Sequence, residues 1–359
     1  MAAPRVRHLE TFVPLTKAEF RERFFARFYD PVFEDVSVEL ETVFEKAWDG
    51  YINYRKSPRT KPAGKRFSKP KQELAIEWLA TKAAVARAER QHRSRSGRSR
   101  ILLVSGSTRS EHTCPGEVSK TRRLVEHARK TIESERGVDV DLLDVSDLAD
   151  EPLKVIYPCK ACVSTAQPLC HWPCSCYPNH ALGQTGDWMN EIYPRWVAAH
   201  GVFIISPVNW YHVPASLKLM IDRLVCADGG NPDPTTTNGK DPKAAKALEL
   251  KGWPYPKHLA GRAFAVLAHG DAAGPENLRR MLVDWLNDIG MIQAGAYAAI
   301  DSFIGWYEPY ATSHDDLDRD KPLFKQVENA AMSLVRMVTD MRTSRYHAPN
   351  RGMHNPREK

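Results

Sequence analysis

The sequence lacks the long apolar runs that would take a chain into or across a membrane. No apolar stretch approaches the roughly 18 residues that a membrane-spanning helix needs, and the beginning MAAPRVRHLETF has no apolar core of the signal-peptide kind. Of the 359 residues, 42% are hydrophobic and 26% are charged, which is typical of a globular protein. We therefore expect a soluble cytoplasmic protein that does not bind membranes.

Residues 100–124 show a strand–loop–helix pattern that lacks two common phosphate-binding signatures. This stretch has no Gly-Lys-Ser/Thr ending, which argues against a nucleoside triphosphate, and no G-x-G-x-x-G dinucleotide fingerprint.

Nucleic-acid motifs are absent beside the basic runs 90–100 and 342–359, which carry much of the net charge of +7. Such runs are usually solvated linkers or tails, so nucleic acid is not an expected partner.

The same stretch contains the features of an anion site. Residues 101–104 predict a buried strand, small polar residues follow, and a helix is predicted from about residue 119. Such a loop presents backbone N–H groups to an anion, and its hydroxyls with one guanidinium suit a single terminal phosphomonoester. An ordinary strand-to-helix turn is the alternative interpretation. The candidate phosphate-binding residues are Ser107, Arg109, Ser110, Ser119 and Thr121.

Strands and helices alternate from residue 99 onward. Apolar runs predict strands at 101–104, 138–143, 201–206, 262–268 and 291–300, with helices between them and a last helix at 323–341. This alternation predicts an α/β fold with a doubly wound five-stranded parallel sheet. Ligands of such sheets lie at the carboxyl ends of the strands.

The sequence predicts three parts. Residues 1–98 form a helical N-terminal extension with a basic linker, residues 99–343 form the sheet domain, and residues 344–359 form a basic tail. Two segments interrupt the sheet domain: a cysteine-rich loop at 157–180 and an insertion at 227–260. The insertion is too rich in proline and glycine for a regular element, so a lid or a subunit contact is expected.

Three motifs at predicted strand ends make a family resemblance specific. They are Gly106-Ser107-Thr108-Arg109, then Ser206 to Trp210 with Leu217-Lys218 and Asp222-Arg223 downstream, and His269-Gly270-Asp271. With these motifs the chain resembles the flavodoxin-like NAD(P)H-dependent FMN reductases, including the iron-sulfur flavoproteins. The resemblance covers about residues 100 to 340 and leaves out the first hundred residues and the insertion.

The resemblance implies FMN as the cofactor. Physically, Trp210 and Tyr211 suit an aromatic wall for the flavin ring, and loop amides suit its polar edge; subunit-contact aromatics are the alternative. The catalytic candidates are Tyr211, His212 and His269. The two histidines are included because an imidazole titrates near neutrality, although a loop histidine often only satisfies a backbone group. The expected FMN contacts are Ser107, Arg109, Ser110, Ser119, Thr121, Pro207, Val208, Asn209, Trp210, Tyr211, His269, Gly270 and Asp271.

Five of the seven cysteines fall within one short span: Cys159, Cys162, Cys170, Cys174 and Cys176. This clustering favours metal or redox chemistry over disulfides in a cytosolic protein. The resemblance implies a [4Fe-4S] cluster held by a compact four-cysteine motif. Here the spacing is longer and a fifth cysteine is present. Two alternatives therefore stay open: zinc in place of iron, or no metal, with reduced thiols or a redox-active disulfide.

These features predict an FMN-dependent oxidoreductase. NAD(P)H, or a reduced carrier protein, would supply electrons that pass through the flavin to a small-molecule acceptor. An electron-transfer or redox-sensing flavoprotein without substrate turnover is the alternative. The resemblance also implies a homodimer or homotetramer.

Overall fold

A computed structural model describes residues 4–57, 59–348 and 352–353. The helices are α1 (Lys17–Phe25), α2 (Ser37–Ile52), α3 (Ile76–Arg93), α4 (Lys120–Glu133), α5 (Asp147–Asp150), α6 (Met189–Ala198), α7 (Ala215–Arg223), α8 (Pro242–Glu249), α9 (Pro275–Asp288), α10 (Ser313–Arg319) and α11 (Lys321–Arg342). The strands are β1 (Thr60–Pro62), β2 (Glu73–Ala75), β3 (Ser99–Ser105), β4 (Val138–Asp144), β5 (Gly201–Pro207), β6 (Ala263–Gly270), β7 (Ile292–Gln293) and β8 (Ala299–Phe303). No helix in these described ranges has the length and apolarity needed to cross a membrane.

The described chain forms two compact units. The sheet unit consists of Val85–Pro152, Ile192–Ile221 and the chain from Lys257 onward. The cysteine unit consists of the chain up to Ala84, Leu153–Glu191 and Asp222–Pro256. The cysteine-rich loop and most of the insertion therefore group with the N-terminal residues, whereas the sequence analysis assigned both to the sheet domain. The predicted limits at residues 98 and 343 stay a prediction.

The sheet unit has the strand order of a flavodoxin-like fold. The order is β4-β3-β5-β6, with β7 and β8 each paired to β6, and every pairing is parallel. The strands β3, β5 and β6 are almost wholly buried, which explains their continuous apolar runs. The predicted fold class is confirmed, and the order changes direction between β3 and β5, where such sheets bind their ligands.

The predicted fifth strand is divided in two, so the sheet has six strands rather than five. Ile292–Gln293 pairs with the beginning of β6, and Ala299–Phe303 pairs with its end. Between them Gly295 has φ +90° and leads into a 3-10 turn at Ala296–Ala298. A left-handed glycine inside an apolar run interrupts the pairing, and the run of apolar letters conceals this.

The cysteine unit contains regular structure that the sequence patterns did not predict. Strands β1 and β2 form an antiparallel pair in which Thr60 lies opposite Ala75. Helix α8 begins at Pro242, and the carboxylate of Asp241 accepts hydrogen bonds from the amides of Lys243 and Ala244. A proline in the first turn loses no helical hydrogen bond, so this proline starts a helix inside the insertion that was predicted to be irregular.

Candidate functional site

The loop after β3 is shaped by close contacts at its start. The Gly106 amide donates to the Ile205 carbonyl at 2.8 Å, and a Cβ at Gly106 would lie 2.8 Å from Leu217 Cδ2. The next side chain, Ser107, is buried, and its Oγ accepts a hydrogen bond from the Arg109 amide at 3.0 Å. The glycine thus lets the chain turn tightly, and the serine holds the turn that presents Arg109.

Two cations lie where this loop enters α4. Arg109 Nη2 contacts the Glu117 carboxylate at 3.0 Å, while its Nε is buried and has no hydrogen-bond partner among the described residues. Lys120, the first residue of α4, is half-buried, and its Nζ donates to Ser313 Oγ at 2.8 Å. Burial lowers the pKa of Lys120 from its ordinary value. An unpartnered guanidinium N–H beside a helix N-terminus suits a phosphate group.

His269 and Thr121 connect the loop after β6 to helix α4. The Thr121 hydroxyl lies 2.9 Å from His269 Nε2, and the His269 ring is 3% exposed. Burial, assisted by the nearby charge of Lys120, lowers the pKa of His269 to about 3. The ring is therefore neutral at pH 7 and fixed by a hydroxyl, which differs from the predicted acid/base role.

The other predicted phosphate ligands are partly engaged elsewhere. Ser119 Oγ accepts from the Arg122 amide at 3.1 Å and caps α4. Ser110 donates to the Asp150 carboxylate and lines an acidic cleft that also contains Asp144 and Asp147. Ser107 and Arg109 thus lie together in the loop, Thr121 contacts His269, and the Ser110 hydroxyl bonds Asp150 instead.

The loop after β5 contains a strained and exposed aromatic turn. The amides and carbonyls of Asn209 and His212 bond to each other at 2.8 and 3.0 Å. Between them Trp210 and Tyr211 have φ of +47° and +65°, a conformation that normally selects Asn-Gly. Their side chains are 95% and 66% exposed. A fold retains such strain mainly where it serves a function, so this turn is the best-marked part of the site.

The loops after β5 and β6 form one continuous edge. The Val208 amide donates to the His269 carbonyl at 2.8 Å. A Cβ at Gly274 would lie 2.9 Å from Val208 Cγ1 and 3.5 Å from Tyr211 Cα, and one at Gly270 would lie 3.4 Å from Val208 Cβ. The predicted contacts at 207–212 and 269–271 therefore lie together, with Pro207 and Asp271 half-buried and His212 exposed beside them.

A second aromatic pair at this edge was missed by the sequence analysis. Trp306 and Tyr307 follow β8, and the Tyr307 amide donates to the Asp271 carbonyl at 2.9 Å. The Trp306 ring packs on Phe303 at 4.1 Å and on Tyr307 at 4.7 Å between centroids. The signal was a Gly-Trp-Tyr run shortly after the last strand. The other three site loops also follow strands, namely β3, β5 and β6.

The cysteine unit gathers four thiols around one ammonium group. Cys162 Sγ lies 3.5 Å from Cys176 Sγ and 3.5 Å from Lys240 Nζ. Burial lowers the pKa of Lys240, but negative charge on Cys176, Cys174, Cys162 and Cys170 outweighs this effect and raises it. The fifth thiol, Cys159, accepts a hydrogen bond from the Ala161 amide at 3.4 Å instead.

The thiols differ in their acidity. The hydrogen bond from Cys176, helped by Lys240 and opposed by burial, lowers the pKa of Cys162 to about 6. Burial raises the pKa of Cys170 far above its ordinary value. Interaction with Cys176 and then burial raise the pKa of Cys174, and the hydrogen bond to Cys162 raises that of Cys176. One thiol is thus poised to ionise first.

A second cation, which is fully buried, lies beside these thiols. Arg223 and Asp187 form an ion pair with side chains 1% and 2% exposed, and the guanidinium lies over the Tyr177 ring at 4.6 Å. Four thiols with buried cations fit the donor chemistry of an anionic iron-sulfur centre. In the described ranges, no three His, Cys, Asp or Glu side chains are arranged to hold a single metal ion.

Comparisons with known proteins identify one matching family and a curated relative. The profile of the NADPH-dependent FMN reductase family matches residues 99–305. The "Iron-sulfur flavoprotein" of Methanosarcina thermophila is 29% identical over 197 residues, which are 55% of this chain and 77% of that protein.

Solved structures give weaker likenesses. A crystal structure of RosB with a bound 8-demethyl-8-formylriboflavin-5'-phosphate intermediate is 14% identical, covers 69% of this chain and 82% of its own, and has a TM-score of 0.47. An NADH:FMN oxidoreductase in its apo form is 16% identical, covers 70% and 92%, and has a TM-score of 0.37. Because the family profile spans more than half of the sequence, the chain belongs to the NADPH-dependent FMN reductase family and is an FMN reductase-like oxidoreductase.

Proposed function

We propose that the protein transfers electrons from NAD(P)H through FMN to a small-molecule acceptor, with a [4Fe-4S] cluster at the clustered cysteines. The observation that carries the proposal is the meeting of three strand-end loops in the sheet unit. The Val208 amide donates to the His269 carbonyl, and Gly106 lies so close to Ser206 that a Cβ would not fit. When bound, FMN supplies hydride acceptance and both one- and two-electron transfer.

The chain's own residues hold and orient this cofactor. Arg109 and Lys120 bind the phosphate at the N-terminus of α4, and the buried Ser107 fixes the loop. Trp210 and Tyr211 cover the ring, since their strained turn keeps both side chains exposed. His269 acts through Thr121 as a positioning residue, because it is buried and neutral at pH 7.

The predicted proton donors are reduced to two in this proposal. Tyr211 and His212 are exposed on the site loop, so either can deliver a proton to an acceptor that enters from solvent. Nicotinamide enters by the same route, where its ring can stack against the exposed aromatics.

For the cluster we propose Cys162, Cys170, Cys174 and Cys176 as the four ligands. Support comes from the contact between Cys162 and Cys176 and from the effect of these four thiols on the pKa of Lys240. Thiolates are the ligands that iron-sulfur clusters take, and a bound cluster permits one-electron transfer. We also propose a homodimer or homotetramer, because aromatic side chains away from the flavin loops, such as Tyr297, are exposed and aromatics are enriched at interfaces. We propose a cytoplasmic location, where clustered thiols stay reduced.

Anaerobic purification tests both cofactors in one sample. We expect a brown protein with one FMN per chain and iron and acid-labile sulfide at four atoms each per cluster, and steady-state NAD(P)H consumption with an added quinone. A colourless protein that takes up no FMN contradicts the proposal. Bound flavin without NAD(P)H turnover would instead support an electron carrier, and zinc without iron would remove the cluster.

A further inference from the structure

The insertion forms the backing of the cysteine-rich loop. The Asn231 amide donates to the Cys170 carbonyl at 2.7 Å, and the Trp172 amide donates to the Asn231 carbonyl at 2.9 Å. His171, between these two residues, places Nε2 3.1 Å from Thr237 Oγ1. Backbone pairing and a buried side-chain hydrogen bond thus register the insertion against the loop that carries the thiols.

The chain is constrained on both sides of Lys240. Asn238 and Gly239 have φ of +49° and +83°, and the Gly239 amide donates to the Pro234 carbonyl at 2.9 Å. On the other side, the Asp241 amide donates to the Thr237 carbonyl at 3.0 Å. The backbone that carries Lys240 is therefore held in one conformation before the side chain makes any contact.

The ammonium group of Lys240 reaches a thiol and a backbone oxygen. Its Nζ lies 3.5 Å from Cys162 Sγ and donates to the Leu169 carbonyl at 2.9 Å. Leu169 directly precedes Cys170, so this one group contacts both arms of the cysteine-rich loop. A long flexible side chain loses considerable rotamer entropy in such a position, and a retained cation there implies an anionic neighbour.

We propose that Lys240 is a positioning residue for the iron-sulfur centre: it hydrogen-bonds a ligand sulfur and offsets the charge that reduction adds. The inference rests on the proposed cluster. Four thiolates make such a centre anionic, and reduction adds one more negative charge. A nearby cation stabilises the reduced form more than the oxidised form, because the attraction grows with the charge. Lys240 therefore raises the reduction potential.

Replacement of the charge tests this role through the potential. In the anaerobically purified full-length protein, Lys240→Met keeps most of the side-chain volume and removes the ammonium group. We expect the ratio of reduced to oxidised cluster at a fixed potential to fall about tenfold, which is ~59 mV for one electron. Redox titration followed by electron paramagnetic resonance measures it. Lys243→Met removes the same charge from an exposed position nearby and should leave the potential unchanged.

A conservative variant keeps the test decisive if Lys240→Met fails to load iron. Lys240→Arg retains the charge and should load the cluster with a potential close to that of the unmodified protein. The inference is overturned if Lys240→Met has the reduction potential of the unmodified protein. It is also overturned if Lys240→Arg and Lys240→Met lower the potential, or the iron content, by the same amount. Absence of iron and sulfide from the unmodified protein would instead reject the proposed cluster itself.

Discussion

Single residues decide which ligand the loop after β3 accepts. The roles of Ser107 and Arg109 in phosphate binding stay predictions, made because a small-residue loop between a buried strand and a helix start presents backbone N–H groups to an anion. Lys120 was not predicted, since a lysine in a first helical turn is usually solvated, and only the structure gives its contact with Ser313. The burial of His269 was not predictable, because the sequence does not reveal whether a histidine at the end of an apolar strand faces solvent.

Replacing Arg109 should weaken FMN binding specifically through the phosphate. Loss of one hydrogen bond to a charged group costs about 2 kcal/mol, or about 30-fold in Kd. We expect this weakening for FMN in Arg109→Gln, and little change for riboflavin, which lacks the phosphate. Fluorescence quenching of the flavin measures both. The control is Arg129→Gln on helix α4, a half-buried arginine that pairs with Glu133. Equal losses for FMN and riboflavin would refute the assignment.

His269 should make the protein less stable in acid. Its folded pKa of about 3 lies below the ordinary value of about 6.5, so the unfolded chain takes up the proton first. The stability that depends on a neutral His269 is therefore fully present above about pH 6.5. It is lost as the pH falls, and at pH 5 the free energy of unfolding is lower by about 2 kcal/mol.

Urea unfolding at pH 7 and pH 5 measures this loss. His269→Asn should lose about 2 kcal/mol less than the unmodified protein between the two pH values. The exposed His112→Asn should show the unmodified pH dependence. If His269→Asn and the unmodified protein fall by the same amount, His269 is not buried as a neutral group.

At the level of elements, the site is made by loops that follow β3, β5, β6 and β8. The strands were predictable, because fully buried parallel strands leave continuous apolar runs. The α/β alternation predicted a parallel sheet, and the order of the strands in it comes from the structure. The turn at Asn209–His212 was not predictable, since neither central residue is one that normally adopts left-handed geometry.

Relaxing the strained turn at Asn209–His212 should raise the stability of the protein and weaken its binding of FMN. A non-glycine residue in the left-handed region costs about 1 kcal/mol, and asparagine tolerates it better than tryptophan. Trp210→Asn should therefore raise the unfolding free energy of the flavin-free protein by up to about 1 kcal/mol, and weaken FMN binding about tenfold through lost stacking. Tyr297→Asn removes another exposed aromatic as the control. Unchanged FMN affinity in Trp210→Asn would exclude Trp210 from the ring site.

The contact between the loops after β5 and β6 depends on Gly274. Its φ of +133° disfavours any side chain, and a Cβ would meet Val208 Cγ1 at 2.9 Å. Gly137→Ala is the matched control, because Gly137 has φ +80° with open space around it. We expect both alanine variants to lose about 1 kcal/mol of stability from backbone strain, measured by thermal unfolding, and only Gly274→Ala to lose FMN affinity. Equal FMN affinity in the two variants would show that the loops need not touch.

At the scale of the whole molecule, the family match and the unit division follow different boundaries. The matched range 99–305 includes residues of both units, since the cysteine unit takes chain segments from three separate places. Local patterns cannot predict such a unit, because its core forms between residues far apart in sequence. The cysteine cluster was visible as a composition, but its contact with Lys240 from the insertion was not.

Hydrogen–deuterium exchange with and without FMN tests the central claim most directly. The account predicts slower amide exchange on FMN addition at residues 105–121, 207–212 and 269–274, because the phosphate and the ring would cover these three loops. Riboflavin should protect the second and third segments more than the first. Unchanged exchange in all three segments, with FMN bound and protection confined to other residues, would contradict it.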